Sequence, residues 1–231
     1  DEILNRLYAE DPEYQQKYNR HALLVVFRKI CDAVSFAHAN GVIHLDIKPE
    51  NIMVGDYGEV QLMDWGIAET LDPHGSSRAG NPPALMPKKI IRGTPCYMSP
   101  EQARGNASEL DELTDVFLLG ACLYHILAFK PPYSGTSTDD VLKKAEQRIL
   151  TPLGEEPESG QVPLELCQIV DRAMAADKTD RYPSAEALAK DLDRFLSGSI
   201  LTQTRTFAPG DTLIREGESG REGYVLQSGR V

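Results

Sequence analysis

Within one span of 19 residues, Asp46, Lys48, Asn51 and Asp64 carry the groups that phosphoryl transfer asks of a protein. That chemistry needs a carboxylate at the attacking hydroxyl, a cation at the transferring phosphate, and oxygen ligands for magnesium. A lone Asp or Asn at such spacing more often turns or caps the chain, because both types favour loops. Here all four fall in His44-Leu45-Asp46-Ile47-Lys48-Pro49-Glu50-Asn51 and in Asp64-Trp65-Gly66 shortly downstream. Motif context favours the chemical reading.

The block resembles the catalytic loop and metal-binding turn of eukaryotic-type protein kinases, H-R-D-x-x-x-x-N followed by D-F-G. Leu45 stands where arginine is usual, and Trp65 where phenylalanine is usual. The resemblance implies that Asp46 orients the substrate hydroxyl or accepts its proton. It implies that Lys48 steadies the transferring phosphoryl group of ATP, and that Asn51 and Asp64 hold Mg2+. Met53 would form the apolar floor beneath the adenine; read by itself it is equally an ordinary core methionine.

Gly93-Thr94-Pro95-Cys96-Tyr97-Met98-Ser99-Pro100-Glu101 is similar to the end of a serine/threonine kinase activation segment, with Ser99-Pro100-Glu101 in place of A-P-E. Thr94 is then expected to contact Asp46 and Lys48, and Glu101 to pair with Arg181 as a buried ion pair. Asp115 resembles the aspartate of the family's central helix, which accepts backbone N–H bonds from the catalytic loop. Its alternative reading is an acid favoured at a helix start. Leu45 cannot grip a phosphate as arginine does, so phosphates at Ser76 or Ser77 have no obvious partner in the catalytic loop. The aspartate itself is untouched, so Leu45 does not read as inactivation.

The positioning elements follow from periodicity. A short helix is expected around Glu2–Ala9 and a turn at Asp11-Pro12. Leu23, Phe27, Ile30, Val34 and Ala37 then recur at helical spacing, and Asn40-Gly41 ends that helix. Ile52–Val54 and Val60–Leu62, separated by a Gly-rich turn, read as a short hairpin that joins Asn51 to Asp64. Residues 69–92 lose periodicity and carry loop chemistry, with Lys88, Lys89 and Arg92 near the end. Further helices are expected at Asp115–Phe129, Asp139–Leu150, Pro163–Ala176 and Ser184–Leu196, the last capped by Ser184. The apolar run Val116–Phe129 is too short for a membrane span and reads as a buried core helix.

Hydrophobic content of 41% and charged content of 26% are ordinary for a globular protein. A formal net charge of −11 argues against nucleic-acid binding. Four scattered cysteines, Cys31, Cys96, Cys122 and Cys167, suggest neither a zinc site nor a disulfide framework, and so a reducing, cytoplasmic setting.

The expected fold is mainly α: residues 1–198 as a kinase-like large lobe, a helical bundle with a short β-hairpin at the active site. No Gly-rich loop or strand lysine precedes His44, so the chain reads as a fragment lacking the small lobe. Residues 199–205 read as a linker. Residues 206–231, from Phe207-Ala208-Pro209-Gly210-Asp211 to Gly229-Arg230-Val231, resemble the opening strands of a cyclic-nucleotide-binding domain; a generic β-meander is the other reading. Cyclic nucleotide is therefore a ligand only for a longer protein. The expected partners are ATP and a protein substrate. The alternatives are a non-catalytic scaffold of kinase fold and a small-molecule phosphotransferase, the latter disfavoured by Glu101 and Arg181.

Overall fold

A computed structural model describes residues 2–71, 91–155 and 162–198. The expected first helix is α1 (Glu2–Tyr8). Asp11-Pro12, expected as a turn, instead opens α2 (Pro12–Lys17), with the Asp11 carboxylate accepting the Glu13 N–H at 3.0 Å. Proline at the first helical position loses no hydrogen bond, so the same dipeptide serves either purpose.

Helix α3 (Arg20–Ala39) starts at Asn19, whose side chain accepts the Ala22 N–H, and stops at Asn40. Its inner stripe, Leu23, Leu24, Phe27, Ile30, Cys31, Val34 and Ala37, is buried. Each large side chain removed from water there contributes about 1.5–3 kcal/mol.

The strands are short. β1 (Val42–Ile43) leads into the catalytic loop, while β2 (Ile52–Val54) and β3 (Val60–Leu62) form the expected antiparallel hairpin, Met53 opposite Gln61. The loss of periodicity expected from residue 69 hides one more strand. β4 (Glu69–Thr70) pairs antiparallel with β1, Val42 opposite Thr70 and Ile43 opposite Glu69. Two residues are too few to display a period of two.

Helix α4 (Pro100–Arg104) follows a capping box built from Ser99 and Gln102. Helix α5 (Glu112–Ala128) starts three residues before the expected Asp115, because Asp111 caps it by accepting the Leu113 and Thr114 N–H groups. Every residue from Thr114 to Ala128 is buried, as befits a helix apolar on all sides.

Helices α6 (Thr138–Gln147), α7 (Leu164–Ala173) and α8 (Ala185–Leu196) complete the bundle; α6 and α7 each stop about three residues short of expectation. The Ser184 cap is present, Oγ accepting the Ala187 N–H at 3.1 Å. α8 packs against α3, and α7 against α5. Where α7 meets α5, a Cβ on Gly120 would sit 2.8 Å from the Ala173 Cβ, so glycine permits the approach. The linker at 199–205, the strands at 206–231, Ser76, Ser77, Lys88 and Lys89 lie outside the described residues.

Candidate active site

The site stands on one buried carboxylate. Asp115, fully enclosed in the first turn of α5, accepts the backbone N–H of His44 at 2.7 Å and of Leu45 at 2.8 Å. His38 of α3 lies 2.9 Å from the same carboxylate through Nε2. Of the two sequence readings for Asp115, the catalytic-loop anchor is the one observed. Charge-assisted bonds of this kind are roughly twice as strong as neutral ones.

Leu45 is buried with φ +69°, an uncommon backbone state for a branched side chain. Its N–H is held by Asp115, and its carbonyl accepts Gln102 Nε2 at 2.8 Å. Surroundings that fix both ends of a residue can sustain such strain. His44 is also enclosed: Nε2 donates to the Met63 carbonyl at 3.0 Å, and Nδ1 accepts the Asp46 N–H at 3.2 Å. That pair of bonds selects the neutral tautomer protonated at Nε2. Trp65 meets the imidazole edge-on, ring centres 4.5 Å apart, and donates its indole N–H to the Leu62 carbonyl.

On this base the predicted polar cluster assembles. The Thr94 hydroxyl donates to Asp46 Oδ1 at 2.7 Å and accepts from Lys48 Nζ at 2.5 Å. Lys48 Nζ also lies 2.9 Å from Asp46 Oδ2. Asn51 Nδ2 donates to the Asp46 backbone carbonyl at 2.8 Å and to Oδ2 at 3.2 Å. Burial by itself pushes the Asp46 carboxyl up; the bonds from Lys48 and Thr94, with the Lys48 charge and Asn51, outweigh it and hold the group below its ordinary value.

The hairpin sets the spacing between Asn51 and Asp64. The Met63 N–H donates to the Asn51 carbonyl at 2.8 Å, closing the open end of β2–β3. With Asn51 Nδ2 committed to Asp46, Oδ1 is the side-chain atom left to serve as a cation ligand. Asp64 follows at φ +60°, exposed, and among the described residues its carboxylate takes only the long Gly66 N–H bond at 3.4 Å. One amide oxygen and one carboxylate suit a hard cation that keeps water and phosphate ligands, so the donor set fits magnesium. Met53 is 51% exposed on the hairpin, which rules out the core-methionine reading.

Below the cluster, Arg181 grips Glu101 through two parallel bonds of 2.8 and 2.9 Å, both side chains buried. Burial pushes the Glu101 carboxyl up, but the bonds and charge of Arg181, assisted by Lys178, hold it below the ordinary range. Three contributors escaped the sequence reading: His38, Gln102 and the Glu69–Arg92 ion pair. Gln102 had a legible signal, because Ser99-x-x-Gln102 is a capping-box pattern. His38 had none.

Residues 2–192 match the protein kinase domain family, and the chain belongs to that family. It is 37% identical over 186 residues to a serine/threonine-protein kinase PknD of Protochlamydia amoebophila (strain UWE25), a match covering 77% of this chain and 19% of that protein. It is 34% identical over 173 residues to a serine/threonine-protein kinase PknB of Mycobacterium tuberculosis (strain ATCC 25177 / H37Ra), covering 75% of this chain and 26% of that protein. The chain thus spans about a fifth to a quarter of the length of these relatives. Among the described residues no helix is long and apolar enough to cross a membrane.

Proposed function

We propose that the chain carries the catalytic residues of a protein serine/threonine kinase, which transfers the γ-phosphoryl group of Mg-ATP to serine or threonine hydroxyls of proteins. The observation that carries this reading is the Thr94 hydroxyl, bonded at once to Asp46 and Lys48. Asp46, held ionised, accepts the hydrogen bond of the substrate hydroxyl and draws its proton away as the new P–O bond forms and the bond from the γ-phosphorus to the departing ADP breaks. Lys48 places its ammonium beside that carboxylate, where negative charge on the transferring phosphoryl group can be met. Thr94 fixes the two relative to each other. Asn51 and Asp64 would hold magnesium, which neutralises charge on the phosphate oxygens. Met53, exposed on the hairpin, offers the apolar surface for the adenine.

In the same reading residues 1–198 form the large helical lobe, working in the cytoplasm. Residues 199–205 are a linker, and 206–231 open a cyclic-nucleotide-binding-like domain; both assignments rest on sequence pattern. The test is incubation of the full-length gene product with γ-labelled ATP, Mg2+ and a generic basic protein, followed by acid hydrolysis. Label on phosphoserine and phosphothreonine is the expected outcome. Label confined to phosphotyrosine, or to a small-molecule acceptor, overturns the assignment.

A further inference from the structure

Leu45 gives the catalytic loop no cation, yet the backbone entering Thr94 is held in place by charge. Arg92 Nη1 lies 2.5 Å from Glu69 Oε1, across 23 residues of sequence. Glu69 belongs to β4, whose partner in β1 is Ile43, the residue before His44. The Arg92 carbonyl accepts Gln102 Nε2 at 3.3 Å, and the same nitrogen donates to the Leu45 carbonyl. Gly93 then passes against the catalytic loop at φ +109°, where a Cβ would lie 3.0 Å from the Leu45 oxygen. One residue later Thr94 reaches Asp46.

A closed circuit therefore runs from Ile43 through Glu69, Arg92 and Thr94 to Asp46, and among the described residues the ion pair links β4 electrostatically to the Thr94 segment. The Glu69 side chain is 18% exposed and that of Arg92 36%, so water and salt screen the link only in part. The Arg92 guanidinium, already facing a carboxylate from within the fold, has no need of a phosphate partner.

We propose that Glu69 and Arg92 are positioning residues for phosphoryl transfer: their ion pair sets the backbone from which Thr94 holds Asp46 and Lys48, independently of phosphorylation. This rests on the kinase reading above, and the measurements separate the two. In the full-length gene product, Glu69→Gln and Arg92→Gln should each lower kcat by about tenfold or more, since small misplacements of a reacting group are costly. KM for ATP and the melting temperature should hold, because neither residue belongs to the nucleotide site or the core. The charge swap Glu69→Arg with Arg92→Glu should recover much of the loss, a coupling that independent surface charges would lack. Phosphatase treatment of the wild type should leave turnover intact.

Hydrogen exchange of the peptide spanning 91–98 reads the geometry without turnover. It should quicken in both single variants and slow again in the swap. Unchanged kcat and exchange in the single variants, a swap worse than either, or collapse of activity after phosphatase would each overturn the proposal. A wild type without any transfer would sink the kinase reading instead, and exchange would still decide the ion pair.

Discussion

Asp46 shows how neighbours set the state of a reactive group. Burial alone disfavours its charge, and Lys48 and Thr94 reverse that balance. The carboxylate is therefore ready to receive a proton at neutral pH without prior deprotonation. Asp64 is the opposite case, exposed and sparsely bonded among the described residues, a donor waiting for a cation. Asp64→Asn should raise the Mg2+ concentration needed for ATP binding by at least about tenfold, roughly 1.4 kcal/mol of lost metal affinity. Fluorescence of Trp65, the only tryptophan and the next residue, reads this directly; an unchanged Mg2+ dependence would remove Asp64 from the metal site. His125 governs stability at mild acidity. Burial pushes its pKa down to about 4, and the Tyr97 hydroxyl oxygen lies 2.8 Å from Nδ1. The unfolded chain binds this proton near the ordinary value of 6.5, so stability is fully present above that pH and declines as pH falls toward 4. Urea midpoints should drop across that window in the wild type and much less in His125→Gln.

Short elements, more than long ones, position the chemistry. The β2–β3 hairpin sets Asn51 relative to Asp64, β4 carries Glu69, and the Ser99 capping box turns Gln102 onto Leu45. The hairpin was legible because a turn holding Gly55 and Gly58 separates the apolar triplet Ile52–Val54 from the alternating Val60–Leu62. β4 was not, since a two-residue strand is defined by its partner in β1 and leaves no local pattern. Asp115 was legible as a residue but not as a position, because the cap at Asp111 precedes the apolar run that marks the helix. The platform depends on the Glu101–Arg181 pair, with Thr114 also donating to Glu101 at 3.1 Å. Removing one partner leaves a buried charge, so Arg181→Met should cost about 3–5 kcal/mol. Adding Glu101→Gln should return part of that loss. A double variant no better than the single one, in urea unfolding, would mean the guanidinium acts mainly through its bonds to the Leu113 and Ala175 carbonyls. Glu101 also extends the acid limb: its depressed carboxyl contributes stability above its ordinary 4.5 that is lost as pH falls further.

At the scale of the molecule, a bundle around one helix buried from Thr114 to Ala128 holds a catalytic loop tied down by hydrogen bonds with Asp115, Asn51 and Gln102. The helices were readable from the 3.6-residue period and their caps, and the site from the spacing of Asp46, Lys48, Asn51 and Asp64. The strained φ of Leu45 and the Gln102 bond to its carbonyl were not, because a contact across 57 residues leaves no trace in neighbouring letters. The central claim is that this cluster performs chemistry and does not merely preserve a fold. Single-turnover transfer from Mg-ATP, measured with the full-length gene product and its Asp46→Asn variant, tests that most directly. Asp46→Asn should slow the chemical step by about 10²–10⁴-fold, with Mg-ATP affinity and melting temperature close to wild type. Transfer at the wild-type rate in Asp46→Asn would contradict the account.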